Sequence, residues 1–378
     1  MRMRKSMKLR LSYDRYIKFI RFSLGLYEGK EFLTGGALVD FDWSAFYNFC
    51  KKQTLTGVAF DGIMRISEKC NFPQDLLMTW YGQSQKIKKR NAFLNESTLD
   101  IYDKIAATGM RCCILKGQGN ALMYPNPYAR TPGDIDVWVN ASRKETRRVI
   151  CALVKDKNDI GKESLNHIEA KVGGVQLELH STPAILNNPF HNNRLQRWLR
   201  RNADFQCGNL VTIVSEKGMV AIPTLSFNVV YQLVHLYHHY FYEGIGLRQF
   251  LDYYFVIINA EGGVGKDFQL TLRRLGLWKF AGAVMYVLHE VFALPEDKMI
   301  APMDEKDGRF LLDEVMRGGN FGQFDDRLGS KEGEGKGHRF FRMTFRNLRY
   351  VTRYPTEALS EPLFRTWFWA WKKLHGYK

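Results

Sequence analysis

Apolar residues recur at three- and four-residue spacing through the first ninety positions, as Tyr16, Ile17, Ile20 and Leu24, then Phe46, Phe49 and Cys50, then Leu76, Leu77, Trp80 and Tyr81. That period predicts a helical region over residues 1–90, interrupted at Gly35-Gly36. From Phe93 to Thr108 the positions Leu94, Leu99, Ile101, Tyr102 and Ile105 favour one side of a further helix, which Gly109 ends as a C-cap. The period then shortens. Arg111 to Leu115 is a short apolar run suited to a buried strand, and Asp134 to Val139 is a second, following the breakers Tyr-Pro-Asn-Pro and Thr-Pro-Gly. Ser142 to Val154 reads as a helix, with Glu145 three residues after Ser142 in capping-box spacing.

His167 to Val172 and Val175 to His180 alternate about Gly173-Gly174, the sequence of a hairpin with a two-residue turn. From about Thr224 the helical period returns over Ser226–Tyr242, Leu247–Ile258, Phe268–Leu275 and Leu277–Ala293. Glycine-rich residues 317–338 predict a loop. The expected architecture is α+β: a small mixed sheet over residues 91–215, between helical regions at 1–90 and 216–378.

Alternation also fixes which side chains share a face. Asp134 and Asp136 project together with Trp138, while Ile135, Val137 and Val139 point to the opposite, buried side. In the hairpin, Val172 faces Val175, Ala170 faces Leu177 and Ile168 faces Leu179. The other face pairs Glu169 with Glu178 and His167 with His180. Like charges opposed across a sheet are unfavourable unless something bridges them, and hard divalent cations prefer carboxylate oxygens. A hairpin lying beside the Asp strand makes Glu178 or Glu169 a third carboxylate.

Composition and charge narrow the setting. With 378 residues and 45% hydrophobic content the chain can bury a sizeable core. No run of eighteen apolar residues occurs, and basic residues interrupt the first thirty positions where a secretory signal needs an apolar stretch, so a cytoplasmic location is expected. The six cysteines form no Cys-x-x-Cys pair, which argues against a zinc knuckle or a disulfide framework. The net charge of +16 gathers at the flanks: residues 1–30 carry nine Lys/Arg against two acids, and residues 331–378 eleven against four. Arg339, Arg342, Arg346, Arg349 and Arg353 fall at helical spacing, a stripe suited either to a solvated face or to a polyanion such as RNA. Trp367, Trp369 and Trp371 beside it suit a core or an interfacial membrane patch.

Between the two expected strands, Leu115-Lys116-Gly117-Gln118-Gly119 closes one strand and opens a short helix over Asn120–Tyr124, so backbone N–H groups at the turn can meet phosphate oxygens with Lys116 adding charge. Together, Leu-Lys-Gly, Arg130 four residues before Asp134, Gly133-Asp134-Ile135-Asp136-Val137, and Glu178-Leu179-His180 on a later strand resemble the uncharacterised bacterial nucleotidyltransferase family of the DNA polymerase β-like superfamily. The resemblance runs from about Asn91 to Asp252, with His235 and Leu247 to Asp252 similar to the family's later helices. It implies a metal-dependent enzyme that transfers a nucleoside monophosphate from an NTP to an acceptor hydroxyl and releases pyrophosphate. By the same resemblance Asp134, Asp136 and Glu178 hold Mg²⁺ or Mn²⁺, and Lys116, Gly117, Gln118 and Arg130 are candidate triphosphate contacts. For Arg130 a salt bridge to the acidic cluster is an equal reading. His167, His180, His235, Arg248 and Asp252 are candidates for a substrate pocket. The turn departs from the Gly-Ser or Gly-Gly of many superfamily members at Gln118. The acceptor is left open between small molecule, sugar, protein and RNA. The competing expectation is a non-catalytic member of the fold that binds RNA or another polyanion through the basic C-terminal helix.

Overall fold

The computed structural model describes residues 2–26, 38–66, 72–214, 217–260, 266–325, 327 and 336–374. Helices α1 (Arg2–Ser23), α2 (Trp43–Lys52), α3 (Thr56–Ile66) and α4 (Gln74–Ala107) precede the first strand. The Gly35-Gly36 break lies outside the described residues. The two helical stretches expected on either side of residue 90 are one continuous helix, α4, of 34 residues. No glycine or proline falls between Lys86 and Thr108 to stop it, and Gly109, at φ +80°, ends it.

Five strands form a mixed sheet in the order β1 (Cys112–Leu115), β2 (Ile135–Val139), β5 (Val175–His180), β4 (His167–Val172), β3 (Ile160–Glu163). β1 runs antiparallel to β2, β2 parallel to β5, and the hairpin β4–β5 antiparallel in the register set by its turn, with Val172 on Val175, Glu169 on Glu178 and His167 on His180. Gly173 and Gly174 both take positive φ, +57° and +80°, which a type I′ turn requires and a side chain resists. Strand β3 was not anticipated: its half-exposed Ile160–Glu163 edge carries little alternation.

One sheet face, made of Ile135, Val137, Val139, Ile168, Ala170, Leu177 and Leu179, packs with Leu94, Ile101 and Ile105 of α4 and with Val149 and Ile150 of α6 (Arg143–Leu153). Each buried aliphatic side chain contributes about 1.5–3 kcal/mol, so slipping β2 or β5 by one residue, which exchanges faces, is strongly opposed. The opposite face bears Trp138 and the polar residues of the strands. The expected Ser142–Glu145 capping box is present at the start of α6.

The helical remainder covers that second face. It comprises α5 (Gly117–Ala121), α7 (Pro189–Gln206), α8 (Leu225–Tyr242), α9 (Leu247–Asn259), α10 (Lys266–Arg274), α11 (Trp278–Phe292), α12 (Glu305–Gly318), α13 (Lys336–Leu348) and α14 (Pro355–Leu374), with a small hairpin β6 (Leu210–Val214) and β7 (Gly218–Ala221). Phe227 of α8 stacks between Trp138 of the sheet and Trp198 of α7, tying sheet and helices together. No helix among the described residues is long and apolar enough to cross a membrane.

The glycine-rich stretch expected as a loop is partly packed. A 3-10 turn at Asn320–Gly322 approaches α8 so closely that a Cβ on Gly322 would meet the Glu243 carbonyl at 2.2 Å. Residues 326 and 328–335 lie outside the described residues. Three arginines of the C-terminal stripe are engaged with the protein itself. Arg346 is buried against the Tyr240 and Phe241 carbonyls, Arg349 reaches Glu314, and Arg353 pairs with Asp307 at 3.2 Å. The side chain of Arg339 lies outside the described residues. Phe341, Phe345 and Leu348 take the exposed side of α13 instead, because the arginines satisfy acids and carbonyls that the core would otherwise leave charged or unpaired. Trp367 and Trp369 are exposed, whereas Trp371 lies under the Arg143 guanidinium.

Candidate active site

β2 runs parallel to β5 with Asp136 directly opposite Glu178, and Asp134 precedes β2 on the same face. Asp134, Asp136 and Glu178 each offer a carboxylate oxygen, and these atoms lie within 4.8 Å of one another. Trp138, two residues along the same face, falls opposite His180 and is buried in the core, so the polar patch ends where the strand enters the interior.

The three acids are held at different charges. Burial alone would raise Asp136, but Lys116, with Nζ 3.1 Å from its Oδ1, and His180, with Nε2 3.0 Å away, outweigh it and hold the carboxyl well below its usual range. Repulsion from Asp136, with burial second, pushes Asp134 up to about 6. Burial opposes the charge on Glu178 too, and the neighbouring His180, 3.5 Å away, overcomes it and lowers the group. His180 is correspondingly raised against its burial by Asp136 and Glu178, whereas burial and the neighbouring His180 push His167 down to about 4. A proton on His180 therefore partly neutralises a cluster whose oxygen donors suit a hard cation.

Lys116 ends β1 with φ +47° and ψ −138°, a backbone conformation costly for a residue with a Cβ, of order 1–3 kcal/mol. Gly117 follows at φ +45°. The turn aims the Lys116 ammonium at Asp136 and at His235 Nε2, 3.2 Å away, and burial beside this cation holds His235 well below its ordinary range. Gln118 takes no part in the cavity. Its buried amide donates to the Asn95 side chain and to the Asn91 carbonyl of α4, which makes it a brace between turn and helix. The short helix begins at Gly117, earlier than the expected Asn120, because Lys116 O already accepts from Gly119 and Asn120.

Arg130 makes the salt bridge, with a different acid from the expected cluster. Its Nε and Nη2 donate to Asp252 Oδ1 and Oδ2 at 2.8 and 2.9 Å, and Tyr124 Oη donates to the same Oδ1 at 2.7 Å. Arg248 donates to the Thr131 carbonyl at 3.1 Å. Arg130 Nη1 and Arg248 Nε are buried without a protein partner. Both residues line the same cavity as the acids.

That cavity has a volume of about 450 Å³ and brings together Lys116, Gly117, Arg130, Asp134, Asp136, His167, Glu178, His180, His235, Arg248 and Asp252. Every candidate residue from the sequence except Gln118 lines it. A size of this order suits a small ligand or nucleotide. A larger cavity of about 820 Å³ shares Lys116 and Asn120 but contains none of the three acids. Sequence reasoning missed the far wall of the acidic cavity, where Phe364, Arg365 and Phe368 of α14 face it. Phe364 and Phe368 stack with centroids 6.2 Å apart and an interplanar angle of 16°, and Phe368 stacks in turn on Trp371. The signal was present as an i, i+4 aromatic pair, but nothing in the sequence ties a helix near the C-terminus to a strand more than 200 residues earlier.

No match is found among curated proteins. Among solved structures, an antigenic nucleotidyltransferase-like protein from Paracoccidioides brasiliensis is 14% identical with a TM-score of 0.34, over 57% of this chain and 96% of that one. The sequence pattern of the uncharacterised nucleotidyltransferases matches residues 40–293, which takes in the lysine-glycine turn, all three acids and the Arg130–Asp252 pair. With about two thirds of its length inside that match, the chain belongs to the uncharacterised nucleotidyltransferase family.

Proposed function

We propose that the protein transfers a nucleoside monophosphate from an NTP to an acceptor hydroxyl, releasing pyrophosphate, with Asp134, Asp136 and Glu178 as the metal-binding acids. The observation that carries this reading is the convergence of three carboxylates from two neighbouring parallel strands, with donor atoms within 4.8 Å of one another. The donor set is all oxygen and strongly self-repelling, which fits Mg²⁺ or Mn²⁺. When bound, such ions neutralise charge on the triphosphate and lower the pKa of an attacking hydroxyl.

The chain's own groups divide the remaining work. In this reading Asp134 and Asp136 anchor the nucleotide side, and Glu178 helps hold the second ion or takes the acceptor's proton. Arg130 Nη1 and Arg248 Nε, buried and without protein partners, are positioned to donate to phosphate oxygens. Lys116 adds positive charge at the turn. Asp252 fixes the Arg130 fork by its two-point contact, so the donor left over keeps one direction. The stacked Phe364 and Phe368 offer a flat apolar wall to a nucleobase.

The test is transfer of label from an α-labelled NTP in the presence of Mg²⁺ or Mn²⁺, screened over acceptors. Asp134→Asn and Asp136→Asn are each expected to abolish transfer. Unchanged turnover in both would overturn the assignment. Of the five arginines behind the polyanion-binding alternative, Arg346, Arg349 and Arg353 are engaged with groups of the protein itself.

A further inference from the structure

Beside the three-carboxylate cluster lies a second convergence, built by the hairpin and not absorbed by the proposed reaction. The β4–β5 register places His167 opposite His180, with ring centroids 5.0 Å apart, and Glu178 on the same face. His180 Nε2 is 3.5 Å from Glu178 Oε2, and His167 Nε2 is 3.8 Å from both Glu178 Oε2 and Glu169 Oε1. One ligand atom from each of His167, Glu178 and His180 falls within 4.8 Å of the others.

These separations are too long for good N–H···O hydrogen bonds, which cluster near 2.9–3.0 Å. They are close to the spacing of atoms around an ion. With metal–nitrogen and metal–oxygen bonds of about 2.0–2.2 Å, two adjacent ligands stand about 3.0 Å apart at a right angle and about 3.4 Å apart at a tetrahedral angle. The two histidine–glutamate edges lie within a few tenths of an ångström of that spacing, and the third, between the two ligand nitrogens, is no longer than 4.8 Å.

His180 Nε2 also meets Asp136 Oδ1 at 3.0 Å, but each ring keeps one nitrogen that a structural role does not explain. Both Nδ1 atoms are buried with no hydrogen-bond partner, and His180 is more than nine-tenths buried. Leaving a buried polar atom unpaired costs about 1–3 kcal/mol, and two facing imidazoles do so together. A residue chosen only to fill space on this face would carry no such penalty.

We propose that His167, Glu178 and His180 form a second cation position, of two nitrogens and one oxygen, that takes a borderline transition metal such as Co²⁺, Zn²⁺ or Cu²⁺ in preference to Mg²⁺. Imidazole nitrogen suits these ions, whereas Mg²⁺ seeks oxygen. Glu178 belongs to both groups, so its two oxygens can bridge neighbouring ions, and paired catalytic metals generally lie about 3.5–4 Å apart. The position goes beyond the proposed transfer reaction, and its occupancy is measurable without nucleotide or acceptor.

The experiment is titration of the chelator-treated full chain with Co²⁺ and with Mg²⁺, followed by calorimetry and visible absorption. The wild type is expected to take up two Co²⁺ per chain. His167→Gln is expected to lose one, with that affinity falling by more than the 10–100-fold typical of removing an outer partner of a ligand. Asp134→Asn is expected to keep the histidine-dependent ion with its absorption bands unchanged. Cu²⁺ bound to the wild type is expected to give nitrogen couplings in pulsed electron paramagnetic resonance, a readout that holds even where His167→Gln fails to fold. Equal Co²⁺ stoichiometry and affinity in His167→Gln and wild type, or absence of nitrogen coupling to Cu²⁺, would overturn the proposal. Transfer activity that survives Asp134→Asn would remove the proposed reaction and leave these metal counts unaffected.

Discussion

Lys116 Nζ stands 3.1 Å from Asp136 Oδ1, a cation delivered by a strained turn to an acid in the middle of a strand. This pair decides how each member of the carboxylate cluster responds to change. Asp136 is nearly buried and has its charge satisfied by Lys116 and His180, while Asp134, more exposed, bears the repulsion.

The two aspartates are therefore expected to affect stability in opposite directions when no metal is bound. Asp136→Asn leaves Lys116 without its counter-charge and should destabilise the fold by about 3 kcal/mol, the lower end for breaking a buried pair because Lys116 keeps some solvent contact. Asp134 has a folded-state pKa raised to about 6, above its unfolded value of 3.8, so its ionisation costs stability as the pH rises through that interval. Asp134→Asn should raise the urea midpoint at pH 8 and leave it little changed near pH 3.5. A loss of stability at pH 8 would contradict this account.

Divalent metal should reverse that advantage. At a hundred times its dissociation constant, a cation that binds only the folded chain adds about 2.7 kcal/mol. Thermal unfolding with Mg²⁺ or Mn²⁺ is expected to shift upward for the wild type and to stay in place for Asp134→Asn with Mg²⁺. The same shift in both proteins would place the ion elsewhere.

Arg130 and Asp252 form a buried two-point pair that connects the segment before β2 to α9. Arg130→Met is expected to cost about 3–5 kcal/mol in chemical denaturation, because Asp252 is left charged and buried. Arg130→Lys should recover only part of that, since an ammonium cannot match both oxygens. Full recovery by lysine would mean that charge alone, and not the planar fork, is required.

Phe368→Ala tests the α14 wall. Stacking of a base on an aromatic ring contributes about 1–3 kcal/mol, so the KM for the NTP is expected to rise roughly 5- to 150-fold with kcat nearly constant. A fall in kcat at unchanged KM would assign the wall to the acceptor or to closure of the cavity.

Glu357, at the start of α14, is buried and pushed up to about 7 by burial, although it accepts from the Asn187 and Asn188 N–H groups. Its folded pKa exceeds the unfolded value of 4.5, so its contribution to stability is present below about pH 4.5 and is lost as the pH rises through 7. Glu357→Gln should flatten the fall of Tm between pH 5 and 8. An unchanged slope would show that other groups set it.

The hairpin, the capping box and the pairing of Glu169 with Glu178 were legible in the sequence because a glycine pair and a two-residue period fix a register locally. So were Asp134 and Asp136 as neighbours on one face, since alternation in a strand leaves no other choice. The continuity of α4 across residue 90 was missed because two apolar stripes with a polar interval read like two helices. The engagement of Arg346, Arg349 and Arg353 with the protein was missed because spacing reports which residues share a face and not which partner that face meets.

What the sequence determined by itself is thus the local geometry of each half of the site: a carboxylate strand, a glycine turn and a hairpin with acids and histidines on one side. Tertiary structure decided how those halves meet. The parallel pairing of β2 with β5 put Asp136 opposite Glu178, the turn at Lys116 supplied the counter-charge, Arg130 found Asp252 122 residues away, and α14 closed the cavity. Local periodicity arises from backbone geometry within a few residues. Pairing between distant segments is settled by which apolar faces can be buried together, and that is a property of the whole chain.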